Sequence, residues 1–156
     1  MKPDEQSVAL RRATSDDAVA IAALTDVAYA KYIPVIGREP QPMTADYRQM
    51  VAEHHVWLLT IDSQPAGVLV LMYQPEHVLI YSVAVAPAYQ KQGWGRHLLK
   101  WAETQAQQAG YSRIRLYTNE RMEANIALYR RLGYVETERE DYLGSTLVHM
   151  VKHLTT

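Results

Sequence analysis

The segment SVAVAPAYQKQGWGRHLL, Ser82 to Leu99, constrains the fold more than any other stretch of the chain. An apolar run is stopped by Pro87, a polar turn follows with Gly93 and Gly95, and an apolar-periodic helix then begins, so the segment reads as strand, turn and helix. Such a junction binds anions: free backbone N–H groups and the positive end of the helix dipole point at the turn, and glycine lets a phosphate come close to the backbone. Lys91 and Arg96 add charge. There is no Gly-Lys-Ser/Thr ending and no third glycine at the dinucleotide-fold spacing, which excludes a P-loop NTPase and gives no support to an NAD enzyme.

The flanking sequence supplies the other layers. Val8 to Ala13 reads as a strand, and Thr14-Ser15-Asp16-Asp17 offers a cap and first-turn acids to a helix carrying Ile21, Leu24 and Ala28. Ile33 to Met43 holds three prolines and a glycine and reads as a surface loop, after which Thr44 caps a second helix running to about His54. Val56 to Asp62 and Ala66 to Tyr73 form a hairpin around Ser63-Gln64-Pro65, and His77 to Val85 is a third strand. The helix after Gly95 stops at Gly110, Ser112 to Thr118 alternates as a strand, and Met122 to Leu132 has helical spacing ended by Gly133. Strands near Tyr134 to Arg139 and Ser145 to His153 complete a mixed α/β pattern in which most strands run in consecutive antiparallel order.

At 156 residues, with no internal repeat or linker, the chain is expected to be one domain, 1–156. Sixteen Lys and Arg against seventeen Asp and Glu leave a net charge of −1, which argues against nucleic acid or an acidic membrane as partner. No apolar run approaches the roughly 20 residues of a membrane span, and the start MKPDEQS carries acids where a signal peptide is apolar. Cysteine is absent, which removes disulfides, thiolate nucleophiles and cysteine-type zinc sites and suits a reducing, cytoplasmic setting. His54 and His55 are adjacent and cannot chelate from one helix face, so no metal site is expected.

The glycine turn resembles the acetyl-CoA loop of the GNAT superfamily of N-acetyltransferases, Gln/Arg-x-x-Gly-x-Gly/Ala, through Gln90, Gly93 and Gly95. ANIALYRRLGY, downstream, is similar to that superfamily's segment of a helix with a Leu-Tyr pair followed by Gly-Phe/Tyr, here Leu128, Tyr129, Gly133 and Tyr134. The resemblance implies a mixed, mostly antiparallel sheet of about seven strands flanked by about four helices, with two central strands splayed to admit acetyl-CoA. It implies that the stretch Val83, Ala84 and Val85 meets the pantetheine arm through its backbone, and that Gln90, Lys91, Gln92, Gly93, Trp94, Gly95 and Arg96 hold the pyrophosphate. Asn125 and Tyr129, four apart on one helix face, then reach the same arm.

The chemistry implied by the resemblance is direct attack of a primary amine, from a small molecule or a peptide, on the thioester in a ternary complex. Tyr129 stands at the position of the acid that protonates the leaving thiolate. The strand before the loop offers no acid at the matching stretch Val78 to Ser82, which leaves Glu76 and His77 as candidate bases. The acceptor wall falls on the segment Tyr29 to Met43, where Tyr29, Tyr32, Ile33, Ile36, Pro42 and Met43 are apolar or aromatic and Arg38 and Glu39 are the nearby charges, with Tyr81 from the strand, and on Asp141 to Thr146. The missing strand glutamate keeps a second reading open, an acyl-CoA-binding sensor with little turnover; the resemblance also leaves a homodimer open.

Overall fold

A computed structural model of the chain describes residues 6–155. In chain order its elements are β1 (Val8–Arg12), α1 (Ala18–Tyr29), α2 (Ile33–Ile36), α3 (Gln41–Thr44), α4 (Tyr47–Glu53), β2 (His55–Ile61), β3 (Gln64–Tyr73), β4 (Val78–Val85), α5 (Trp94–Gln108), β5 (Arg113–Asn119), α6 (Glu123–Arg131), β6 (Val135–Tyr142) and β7 (Ser145–His153). The seven strands form one sheet in the order β1-β2-β3-β4-β5-β7-β6. Among the described residues only β4 and β5 pair in parallel. The expected architecture is therefore present, with four helices of seven residues or more and two single-turn ones among the described residues.

Two apolar layers sandwich the sheet, and β3 shows why. Its Val68 and Val70 join Ile21, Leu24 and Ala28 of α1 on one face, while Leu69 and Leu71 join Leu98, Leu99, Ala102 and Ala106 of α5 on the other. Strict alternation of wholly apolar side chains makes this a strand buried on both faces.

The decisive irregularity lies in β4. Its register against β3 pairs Val70 with Ser82 and then Leu71 with Ile80, so Tyr81 is an extra, bulged residue. Side-chain parity switches there: Val78 and Ile80 face the α5 side before the bulge, whereas Val83 and Val85 do so after it and Ala84 faces α1. Pairing with β5 stops at the same place, its last pair being Ile80 with Leu116. A bulge bends and twists its strand, so β4 and β5 part beyond it. This is the splay expected between the two central strands.

Several local expectations are corrected. Ile33 to Met43 is not a continuous loop but contains α2 and α3, because Pro34 and Pro42 fall in the first turn of each, where no N–H is needed. Gly37 at φ 80° ends α2 in a left-handed conformation suited to glycine. Asp46, rather than Thr44, caps α4, accepting from the N–H groups of Arg48 at 3.1 Å and Gln49 at 3.3 Å; the Thr44 hydroxyl donates to Gln41 O inside α3. The β2–β3 hairpin turns at Asp62-Ser63, both with positive φ, and Gln64 and Pro65 already belong to β3. The continuous helical stretch Ser15–Ile36, 22 residues, holds an 18-residue window of mean hydropathy 1.5 and is long and apolar enough by length and composition to cross a membrane, although Asp16, Asp17, Asp26 and Lys31 fall within the stretch. In the fold its central part, α1, lies against β3 and β4.

Candidate active site

The parted strands expose backbone that a regular sheet would consume. Ala86 N–H bonds to Ala66 O at 2.8 Å, which turns residue 86 and, by alternation, Ala84 toward β3. Val83 and Val85 therefore direct their N–H and C=O groups into the gap. The Val83 carbonyl accepts from the Tyr29 hydroxyl at 3.0 Å, and the Val85 carbonyl accepts from the Gln90 side-chain amide at 2.9 Å.

Beyond Val85 the chain makes the expected glycine turn, shaped as a cradle. Lys91 at φ 64° and Gly93 at φ 89° are left-handed, a backbone alternation that gathers N–H groups into a concavity. The first turn of α5 has neither an acidic residue nor a side-chain cap, so its N–H groups keep the full positive end of the dipole. A Cβ built on Gly93 or Gly95 meets nothing within 4 Å, which leaves open space beside the backbone. Trp94 is half-buried against the α5 side of the core, with its indole N–H enclosed and unpartnered among the described residues. Lys91, Gln92 and Arg96 are exposed along the rim.

From this cradle a cavity of about 440 Å³ runs through the gap in the sheet. Gln90, Gly95, Val83, Ala84 and Val85 line its end beside the glycine turn, Asn125 and Leu128 of α6 one wall, and Tyr29, Tyr32, Tyr81 and Tyr117 the far end. Residues 37–44 and the β6–β7 turn form a roof. Tyr117 donates to Gln41 Oε1 at 3.0 Å, the Arg38 guanidinium donates to the Leu143 carbonyl, and Asn125 donates to the Tyr32 hydroxyl at 3.3 Å.

Tyr129 packs on the core from α6, its ring 6.0 Å from that of Tyr134, just behind the lining. Burial pushes its phenol strongly upward, and the neighbouring Tyr29 and Tyr32 hydroxyls add to the shift. Burial also raises Tyr29, to about 12 against an opposing hydrogen bond with Ser82, and Tyr117 to about 12. All three phenols stay protonated at neutral pH; Tyr29 and Tyr117 donate to Val83 O and Gln41 Oε1, while the Tyr129 hydroxyl has no protein partner among the described residues.

The acceptor-side readings divide. Tyr29, Tyr32 and Tyr81 line the cavity; Ile33 and Met43 do not, because the single turns of α2 and α3 present Ile36 and Pro42 instead. Glu76 and His77 are not brought to the site. They precede the first residue of β4, at the end of that strand remote from the loop, where Glu76 is exposed beside Arg113 at 3.7 Å. Partial burial and then the charges of Arg115 and Arg113 push the His77 imidazole downward. The carboxylate that does line the cavity is Glu39, exposed in the roof. Sequence reasoning did not single out Tyr117 or Gln41, which the structure brings together in the lining. Among the described residues no group of three or more metal-ligating side chains occurs.

Comparisons with known proteins agree with this geometry. The acetyltransferase (GNAT) family matches residues 21–134. The chain is 31% identical over 101 residues to "Probable N-acetyltransferase 14" of Xenopus tropicalis, covering 63% of this chain and 49% of that one. It is 32% identical over 89 residues to the [Ribosomal protein bS18]-alanine N-acetyltransferase of Escherichia coli K12, covering 56% and 60%. The chain thus spans about half to three-fifths of the length of these relatives. The crystal structure of the E. coli ribosomal-protein-S18-alanine N-acetyltransferase superposes with a TM-score of 0.80 at 19% identity, covering 96% of each chain. The PaiA N-acetyltransferase of Thermoplasma acidophilum, in complex with coenzyme A, superposes with a TM-score of 0.77 at 16% identity, covering 94% of this chain and 99% of that one. With its family match over most of the sequence and a glycine cradle opening into a parted sheet, the chain belongs to the GNAT acetyltransferase family.

Proposed function

We propose that the protein transfers the acetyl group of acetyl-CoA to a primary amine by direct attack in a ternary complex. The observation that carries this reading is the continuous passage from the N–H cradle, along the free backbone of Val83 and Val85, to an aromatic chamber roofed by residues 37–44. The residues fit acyl-CoA: the cradle is acid-free, its two glycines stand beside open space, and the gap-facing backbone matches the alternating amides of a pantetheine arm.

Acetyl-CoA supplies a thioester whose carbonyl carbon is attacked by the neutral amine; the C–N bond forms, the C–S bond breaks, and the amine's proton is lost to solvent or base. Tyr129 keeps its proton at neutral pH and gives it to the departing thiolate. Backbone N–H groups of the bulged strand orient the carbonyl. The acceptor end is apolar and aromatic, with Glu39 as its carboxylate, which suits a small aliphatic or aromatic amine or the amino group of a peptide. The alanine acceptor named for the E. coli relative supports the peptide form.

The test is release of free CoA from acetyl-CoA across a panel of small amines and short peptides. Release that depends on one amine class supports the transferase. Binding of acetyl-CoA without release under any acceptor favours the sensor reading, which the remoteness of Glu76 and His77 from the cavity keeps in play.

A further inference from the structure

Lys31 follows α1 in a single 3-10 turn, Ala30–Tyr32, between two anchored tyrosines. Tyr29 is fixed to the Val83 carbonyl and Tyr32 to Asn125, so the backbone of Lys31 is held over the gap although it belongs to the acceptor-side segment. Its ammonium reaches across to the cofactor loop. Lys31 Nζ donates to Gln90 Oε1 at 3.0 Å and lies 5.2 Å from the centre of the Tyr32 ring. Lys31 and Gln90 both line the cavity beside Val85 and Gly95.

The pairing is unusual for a lysine. An ammonium has three donors, and among the described residues its one side-chain hydrogen-bond partner is a neutral amide already engaged through its nitrogen with the Val85 carbonyl. Among the described residues no carboxylate lies within ion-pair distance of Lys31, nor of Lys91 or Arg96 on the loop itself. An unneutralised cation, anchored at its backbone and extended onto the first residue of an acid-free anion cradle, is placed for a charge-assisted bond to phosphate.

Building on the proposed acetyl-CoA reading, we infer that Lys31 is a ligand of the cofactor's diphosphate, contributed by the acceptor segment from outside the glycine loop. Diphosphate binding then draws the Lys31 side chain from Gln90, while the anchored Tyr29–Tyr32 turn keeps its backbone in place. One residue in this way ties cofactor occupancy to the acceptor chamber.

The experiment measures dissociation constants of wild type, Lys31→Met and Lys31→Arg for three ligands: acetyl-CoA, acetyl-dephospho-CoA, which keeps the diphosphate but lacks the ribose 3′-phosphate, and S-acetylpantetheine, which lacks both. Lys31→Met is expected to weaken the first two by tenfold or more and the third by less than twofold, and Lys31→Arg to recover most of the loss. Equal loss on all three ligands would show that Lys31 only shapes the loop through Gln90, and loss confined to acetyl-CoA would move its contact to the ribose phosphate; either outcome overturns the inference, as does no loss at all. Failure of the wild type to bind any of the three would sink the acetyl-CoA reading itself, a result visible before any variant is compared.

Discussion

At the scale of single residues, Tyr129 and Gly95 separate chemistry from binding. Tyr129→Phe removes a hydroxyl that has no protein partner among the described residues, so packing is kept and only the proton donor is lost. Turnover should fall by about a hundredfold, with acetyl-CoA affinity within a factor of two; unchanged single-turnover rates would remove Tyr129 as the acid. Gly95 sits in the helical first turn of α5 with open space at its Cβ, so Gly95→Leu imposes no backbone strain and projects into the cradle. The variant should melt close to wild type yet lose acetyl-CoA binding, and normal affinity would displace the cradle from this face of α5. Asp17 gives a pH prediction with a definite sign. Hydrogen bonds from the Arg11 guanidinium, at 2.8 and 2.9 Å, and from the Thr14 N–H hold its carboxyl down to about 2. A depressed carboxyl stabilises the fold above its unfolded value and ceases to do so as pH falls through the folded one. Melting midpoints of wild type and Asp17→Asn should therefore converge between about pH 4 and pH 2; a constant difference across that window would contradict the assignment.

At the scale of elements, the sequence is informative where a signal is local and silent where it is not. The Ser82 to Leu99 junction, the β7 span and the end of α5 near Gly110 are readable because prolines, glycines and alternation act over a few residues. Pro34 and Pro42 misled in the opposite direction: a proline that breaks a helix interior is welcome in its first turn, and only the turn's register tells the two apart. The bulge at Tyr81 leaves no mark in composition, since Val78 to Val85 reads as a uniform apolar strand whichever residue is extra. The roof was equally hidden. Arg38 and Leu143 are 105 positions apart, and Tyr117 and Gln41 are 76 apart, so their contacts exist only once the sheet order is fixed. The same holds for the candidate base. Glu76 and His77 are near the loop in sequence terms, yet an extended strand carries them away from it at roughly 3.3 Å per residue.

For the molecule as a whole, the gap divides the sheet into β1–β4 with α1 and α4, and β5, β7 and β6. Three parallel pairs, Val78–Ile114, Leu79–Arg115 and Ile80–Leu116, are the only strand pairing between these halves among the described residues. A ligand that bonds both walls acts as a further rung. Acetyl-CoA at 100 times its dissociation constant contributes about 2.7 kcal/mol, which for a domain of this size raises the melting midpoint by roughly 5 to 10 degrees. ATP and NADH, which bring phosphates but no pantetheine arm, should shift it far less; equal shifts with all three would reduce the site to a general anion cradle.

The extra residue at Tyr81 also sets a contest between solidity and use. Deleting it restores an unbroken register, Leu71 with Ile80 and Val70 with Ser82, and aligns side-chain parity along the whole of β4. The strand is then free to run straight and to extend its ladder with β5, closing the passage with hydrogen bonds of its own. Such a variant should unfold at a higher denaturant concentration than wild type while binding no acetyl-CoA, and lower stability with binding intact would show that the bulge is not what holds the strands apart. Natural selection for a more robust sheet and selection for a working passage pull on the same residue in opposite directions, so random stabilising mutations in β4 are expected to arise as losses of activity.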